Sequence, residues 1–251
     1  MTNHYHEANR KGWDTAARAG CGQVDNSKNW RDCYSDLTVY FLAEELEWLD
    51  EIAGKKVCVL GSGDNVAVFA LAGLGAVVTS VDISEEQLYI AAERTKEVNA
   101  NINFIRADVT NLKEIPDNSF DLVYTGGHVA VWVSDLQAYY REAVRIIKPG
   151  GHLLINEYHP FRRSMQYDKS FQYFNHGPFQ YDKAEDIPGV EPGTLPTYEF
   201  HWTVSDFVTA VIDAGASLLQ LREIGDEAEC WENMNMAGLP RCLVLLAQKN
   251  N

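Results

Sequence analysis

The stretch Val59–Ser84, VLGSGDNVAVFALAGLGAVVTSVDIS, decides the fold. It begins inside a short apolar run, KVCVL (56–60), and turns at Gly61-Ser62-Gly63. A helix-type segment follows from Asn65 to about Leu74, with Gly73 and Gly75 near its end, and then a second apolar run, AVVTSVD (76–82). Strand, glycine turn, helix and strand in that order make a βαβ unit. Strands that read as continuous apolar runs belong to a parallel sheet covered on both faces. Glycine at 61 and 63 lets the backbone turn tightly and lets a ligand approach where a Cβ would intrude. Asn65 stands where a third glycine is often found.

The alternation continues outward. Ser84 caps a helix expected to reach Asn99, with Glu85 and Glu86 favourably placed in its first turn. NINFIRAD (101–108), FDLVYTG (120–126) and HLLINEY (152–158) read as further strands, with a helix from Asp135 to Ile147 before the last of them. Upstream, residues 4–19 read as a helix carrying Trp13. A second helix is expected from Asp36 to Ala53, with Val39, Leu42, Leu46 and Leu49 on one face and Gly54 at its end. After His159 the pattern breaks: residues 160–202 carry Phe161, Tyr167, Phe171, Tyr173, Phe174, Phe179, Tyr181, Tyr198, Phe200 and Trp202 among prolines and glycines. This is read as an insertion covering a ligand cleft, the alternative being a flap packed on itself. A helix at 204–214 and strands at 217–224 and 241–248 close the chain, and the short connection between these strands suggests an antiparallel pair. The expectation is a single α/β domain over 1–251, doubly wound: a helical cap (1–54), a core (55–159), the insertion (160–202) and a final helix with two strands (203–251). Ligands of such sheets sit beyond the carboxyl ends of the strands.

The 251 residues carry a formal charge of −15, which disfavours a general nucleic-acid binder and an anionic membrane surface. Hydrophobic residues make up 46% of the chain, enough for a sizeable core. Cys21, Cys33, Cys58, Cys230 and Cys242 are scattered without a C-x-x-C pair and read as reduced thiols of a cytoplasmic protein. The polar amino-terminal stretch lacks the apolar core of a signal peptide, and no apolar run reaches transmembrane length. No Cys/His cluster has ligand spacing, and His4 and His6, near the amino terminus, are not read as metal ligands.

Asp82 ends the second strand, 21 residues after Gly61, and a carboxylate there can accept bonds from both hydroxyls of a ribose. Folds that bind NAD and folds that bind S-adenosylmethionine share this pair of features. Asp64 inside the turn would repel a diphosphate, whereas S-adenosylmethionine presents a sulfonium, an ammonium and one carboxylate. Asn65 in place of the third glycine points the same way. Asp108 ends the third strand, where its carboxylate can accept a bond from an adenine amino group, with the Val109 N–H beside the ring.

The segments VLGSGDN, VDISEEQL, RADVTNL, SFDLVYTGG and EAVRIIKPGGHLLINEYHPF together resemble class I S-adenosylmethionine-dependent methyltransferases of the small-molecule type. The resemblance covers about residues 55–160, and TVSDFVTAVIDAGA with the strand after it looks like the family's final helix–strand unit. It implies a seven-stranded sheet with an antiparallel last strand. It also implies S-adenosyl-L-methionine as cofactor. Gly61, Ser62 and Gly63 would stand at its methionine end, Asp82 at the ribose, and Ile83, Gln87, Asp108 and Val109 at the adenine, with Gly126 near the methionyl group.

Methyl transfer needs a base only when the acceptor starts protonated. Candidates are His128, after the fourth strand, and His159, after the fifth, with His201 third; Glu157 could orient one of them. Trp13, Trp132, His201 and Trp202 are candidates for an acceptor pocket. The leading expectation is methylation of a small molecule. The alternatives are an RNA or protein methyltransferase, for which RRSMQYDK (162–169) is the local hint, a silent cofactor-binding module, or a nicotinamide oxidoreductase.

Overall fold

Alternate residues of β1 (Lys56–Leu60) enter two different cores. Val57 and Val59 enter one, Cys58 and Leu60 the other, and all four are fully buried. Successive strand side chains point to opposite faces, so a strand covered on both sides shows no polar alternation. That is the physical origin of the run KVCVL. Complete burial of one such Val or Leu side chain is worth about 1.5–3 kcal/mol.

The computed structural model describes residues 3–20, 30–63, 66–164, 172–225, 230–231, 234–235 and 237–251. Before β1 come α1 (His4–Arg18), α2 (Trp30–Ser35) and α3 (Ala43–Leu46). Then follow α4 (Val66–Gly73), β2 (Val77–Asp82), α5 (Glu85–Val98), β3 (Ile102–Arg106), β4 (Phe120–Gly126), α6 (Leu136–Ile146) and β5 (Ile147–Tyr158). The aromatic segment holds α7 (Pro160–Ser164), β6 (Phe179–Asp182) and β7 (Pro196–Glu199). The chain continues through α8 (Val204–Asp213), β8 (Ala216–Gly225), the two-residue strands β9 (Cys230–Trp231) and β10 (Met234–Asn235), and β11 (Pro240–Lys249).

The main sheet has the order β3-β2-β1-β4-β5-β11-β8. β1 to β5 pair in parallel, while β11 runs antiparallel to both β5 and β8. The expected seven strands and antiparallel last strand are borne out. α2, α3 and α4 pack on one face, and α6 and α8 on the other. The order reverses between β1 and β4, and a crevice opens at the carboxyl ends there.

The helix expected over Asp36–Ala53 is not continuous. A 3-10 turn covers Leu37–Val39, α3 is a single turn, and turns lead on to Gly54. The Asp36 carboxylate accepts the N–H and hydroxyl of Thr38 and holds the chain in a local turn instead. Glu45 is also needed inside. One of its carboxyl oxygens accepts the Tyr124 phenol at 2.9 Å; the other accepts the Asn156 amide at 2.9 Å and the Leu42 N–H at 3.0 Å. The four apolar residues still pack on the α4 side of the sheet, as their spacing predicts, although most of them do so from turns.

The aromatic segment forms the β6–β7 hairpin. Phe200 N–H donates to Val131 O at 2.7 Å and Trp202 Nε1–H to Ala130 O at 3.0 Å, which ties the segment to the turn after β4. Among the described residues no helix is long and apolar enough to cross a membrane. Cys33, Cys58 and Cys242 are buried; Cys21 lies outside the described residues.

Glu45 is fully buried and bridges α3 to β4 and β5. Glu45→Ala would leave three donors without their acceptor, and urea unfolding should show a loss of about 3 kcal/mol, with Glu45→Gln losing less. A loss for Glu45→Ala below about 0.5 kcal/mol would mean that the bridge does not hold the strands.

Candidate functional site

A cleft with about 740 Å³ of space between atoms lies at the carboxyl ends of β1, β2, β3 and β4. Its floor comes from the turns after these strands, and its roof is α1. The helix is amphipathic in an unusual sense, because its buried face includes polar His6, Asn9 and Asp14 beside Ala16 and Ala17. Each polar group is pinned to a different segment. Asn9 accepts the Tyr198 N–H at 2.7 Å and donates to Tyr198 O at 2.9 Å and Trp132 O at 3.2 Å. Asp14 accepts the Ser84 hydroxyl at 2.7 Å, and His6 reaches Asp108 and Ser134.

The turn after β1 has the left-handed backbone that its glycines permit, with φ +64° at Gly61 and +51° at Gly63. A Cβ at Gly61 would overlap the Val129 side chain, and one at Gly63 would overlap Gln87 Oε1. The glycines are thus required first by protein neighbours that close in around the turn. Ser62 is buried with its hydroxyl 2.5 Å from that of Ser80. Asp64 and Asn65, on which the choice of cofactor turned, lie outside the described residues.

Asp82, Ile83, Gln87, Asp108 and Val109 all line the cleft with Gly61 and Ser62. The Asp82 carboxylate accepts the Gly63 N–H at 2.7 Å through one oxygen and the Ser84 N–H at 2.7 Å through the other. Gln87 is buried in the first turn of α5, and its Nε2 has no hydrogen-bond partner among the described residues. Gly126 is buried at the end of β4 over the Tyr124 ring; its neighbour Gly127 lines the cleft in its place.

His6 was not singled out for this site, yet it is only 4% exposed and lines the cleft. Its Nε2 accepts the Ser134 N–H at 2.9 Å, so the neutral ring carries its proton on Nδ1 and donates it to Asp108 Oδ2 at 2.7 Å. Asp108 Oδ1 accepts both the N–H and the hydroxyl of Thr110. Burial acts against ionisation of Asp108, but the bonds from His6 and Thr110 outweigh it and hold the carboxyl below the ordinary aspartate value of 3.8.

The two proposed bases have their acceptor nitrogens occupied. His128 Nδ1 accepts the Tyr158 N–H at 3.0 Å, which places the neutral ring's proton on Nε2. His128 also holds a left-handed φ of +67° and stacks on Tyr158. His159 Nδ1 accepts the Phe161 N–H at 3.2 Å and its Nε2–H donates to Glu223 at 2.8 Å; burial lowers its pKa more than Glu223 raises it. Glu157 accepts the Ala130 N–H. Trp13 and Trp132 meet edge to face at 5.1 Å in the cleft wall. His201 is stacked on Phe179 beside Glu199 in the aromatic segment, and Trp202 packs on the core and bonds to Ala130 O; neither lines this cleft. No metal-binding group of His, Cys, Asp and Glu occurs among the described residues.

Residues 58–155 match the family model described as "Methyltransferase domain". Over 116 residues the chain is 32% identical to phosphoethanolamine N-methyltransferase 3 of Arabidopsis thaliana, covering 46% of this chain and 23% of that protein. Over 112 residues it is 35% identical to demethylmenaquinone methyltransferase of Tropheryma whipplei, covering 44% and 45%. The chain therefore spans less than half the length of these curated relatives. Among solved structures, an S-adenosylmethionine-dependent methyltransferase from Mesorhizobium loti aligns over 82% of this chain and 98% of that one, with a TM-score of 0.62 and 24% identity. Magnesium protoporphyrin IX methyltransferase from Synechocystis, with bound SAH, aligns over 98% of both chains with a TM-score of 0.59 and 18% identity.

A group whose folded-state pKa is depressed lends stability that is complete above its unfolded value and lost as pH falls through the folded one. Melting temperatures should therefore fall as pH drops below about 3.8, less steeply in Asp108→Asn than in the wild type. Equal acid limbs in the two proteins would show that the His6–Asp108 pair does not stabilise the fold.

Proposed function

From the match of residues 58–155 to a methyltransferase domain, we propose that this chain transfers a methyl group from S-adenosyl-L-methionine to a small-molecule acceptor. The observation that carries the reading is the pair of carboxylates at successive strand ends, Asp82 and Asp108, facing one cleft beside the Gly61–Gly63 turn. Among the described residues no Lys or Arg lines that cleft. Such a lining suits a cofactor with a sulfonium and an ammonium better than one with a diphosphate.

The residues present fit the cofactor. Gly61 and Gly63 hold a left-handed backbone, and among the described residues Gln87 Nε2 is a buried donor without a partner and Asp108 Oδ2 accepts a single bond. In this reading Asp82 holds the ribose, Ile83 and Gln87 flank the adenine, and Asp108 and Val109 meet its edge. Ser62 and Gly127 border the methionine end. When bound, the cofactor supplies a methyl group already activated by the sulfonium charge. The chain's own contribution is to align the partners and exclude water, and α1 with Trp13 and Trp132 does the latter. With the acceptor nitrogens of His6, His128 and His159 all taken by backbone N–H groups, the reading assigns no histidine base. The acceptor then attacks in a form that is already deprotonated at working pH.

The names of the two relatives point to small and mutually unlike acceptors, in agreement with a small molecule but with no one acceptor atom. We assign the described stretch 172–202 of the aromatic segment to the acceptor side, because Tyr198 ties it to α1 and Phe200 to the turn that carries Trp132.

Calorimetric titration should show binding of S-adenosylmethionine and S-adenosylhomocysteine and none of NAD. Binding of NAD alone would overturn the reading. Asp82→Ala should weaken cofactor binding by about 100-fold, an effect of about 2.7 kcal/mol that a charge-assisted pair of bonds can carry. Unchanged affinity would remove Asp82 from the site.

A further inference from the structure

The most informative group that the sequence did not single out is His6. It is nearly solvent-free, it reaches the cleft from a helix far from the sheet in the chain, and its two ring nitrogens have different, fixed duties. Nε2 accepts the Ser134 N–H, with the Ser134 hydroxyl also 3.1 Å away. Nδ1–H donates to Asp108 Oδ2. The ring thereby joins the turn after β3 to the turn after β4, the two segments that bound one end of the cleft.

The bond count at Asp108 gives this a consequence. A carboxylate has about four lone-pair directions. Thr110 N–H and Oγ1–H occupy both on Oδ1, and His6 occupies one on Oδ2. Among the described residues nothing takes the second direction on Oδ2, and Asp108 and Val109 both line the cleft. Asp108 lies beyond the end of β3, where no ladder bond holds it, so His6 and Thr110 decide where that last lone pair points.

We propose that His6 is a positioning residue for purine recognition: it aims the remaining lone pair of Asp108 at the exocyclic amino group of adenine and so sets the preference for a 6-amino over a 6-oxo purine. The proposal rests on the reading of the cleft as the S-adenosylmethionine site. A 6-amino group donates to that lone pair. A 6-oxo group presents its own lone pairs there and leaves two acceptors facing each other, an arrangement that polar sites reject strongly.

The test compares the affinities of S-adenosylhomocysteine and S-inosylhomocysteine by calorimetry. The wild type should prefer the adenosyl ligand by roughly 100-fold. In His6→Ala the ratio should fall at least tenfold, because the carboxylate is no longer aimed. In His6→Gln it should return to within about threefold of wild type, since a glutamine amide offers an N–H to Asp108 and a C=O to Ser134. A merely structural role would weaken both ligands alike. An unchanged ratio in His6→Ala would therefore overturn the proposal, as would a ratio in His6→Gln no better than in His6→Ala. If His6→Ala does not fold by thermal melting, His6→Asn, whose shorter amide cannot reach both partners, takes its place with the same expected tenfold fall. A wild type that binds neither ligand would instead overturn the cofactor reading itself, and this assignment with it.

Discussion

The carboxylate of Asp82 is the interaction on which the rest of the site depends. It is 8% exposed, it closes β2, and its two oxygens hold the N–H groups of Gly63 and Ser84. One bond fixes the turn after β1; the other fixes the start of α5. A buried carboxylate is tolerated only with bonds of this kind, and once they are made the two backbone turns are locked together. Gly61 and Ser62 N–H groups both donate to Val81 O, so the same strand end anchors the turn through its main chain. The described part of the turn is thus bonded to the end of β2 through both a side chain and the main chain.

The roof has a different physics. Its helix α1 contributes two buried alanines, with Tyr5 half-buried against Tyr198 and Phe200 and Trp13 against Trp132. Polar pins complete its hold: His6 to the turns after β3 and β4, Asn9 to the backbone of β7, Asp14 to the cap of α5, and Arg18 to Glu86. Each buried pin contributes on the order of 1 kcal/mol when made and costs more if one partner is removed. The outer pair between Arg18 and Glu86 is solvent-exposed and adds little. The roof thus rests in part on hydrogen bonds with specific geometry, and one of them, from His6, ends on Asp108.

The histidines show how a bonding pattern narrows chemistry. A neutral imidazole has one acceptor nitrogen. In His6, His128 and His159 a backbone N–H has taken it. Position alone made His128 and His159 plausible bases, because both follow strands at the ligand edge. Bonding makes them fixtures of the turns: His128 holds a left-handed residue against Tyr158, and His159 ties β5 to Glu223 of β8.

Read alone, the sequence specifies the succession of strands and helices in the core, the glycine turn, and the placing of Asp82 and Asp108 at neighbouring strand ends. These follow from periodicity and from residues close in the chain, since a strand with two buried faces must be apolar throughout. It misplaced one helix: Val39, Leu42, Leu46 and Leu49 have helical spacing and are packed on the core side, but Asp36 and the buried Glu45 draw the backbone into turns. Long-range packing is what makes α1 the roof, brings His6 to the cleft, and sets Val129 and Gln87 where a side chain at Gly61 or Gly63 would strike them. His6 and Asp108 are 102 positions apart and Asn9 and Tyr198 are 189 apart. A polar residue whose partner is that distant looks, from its neighbours alone, like any residue on the wet side of a helix.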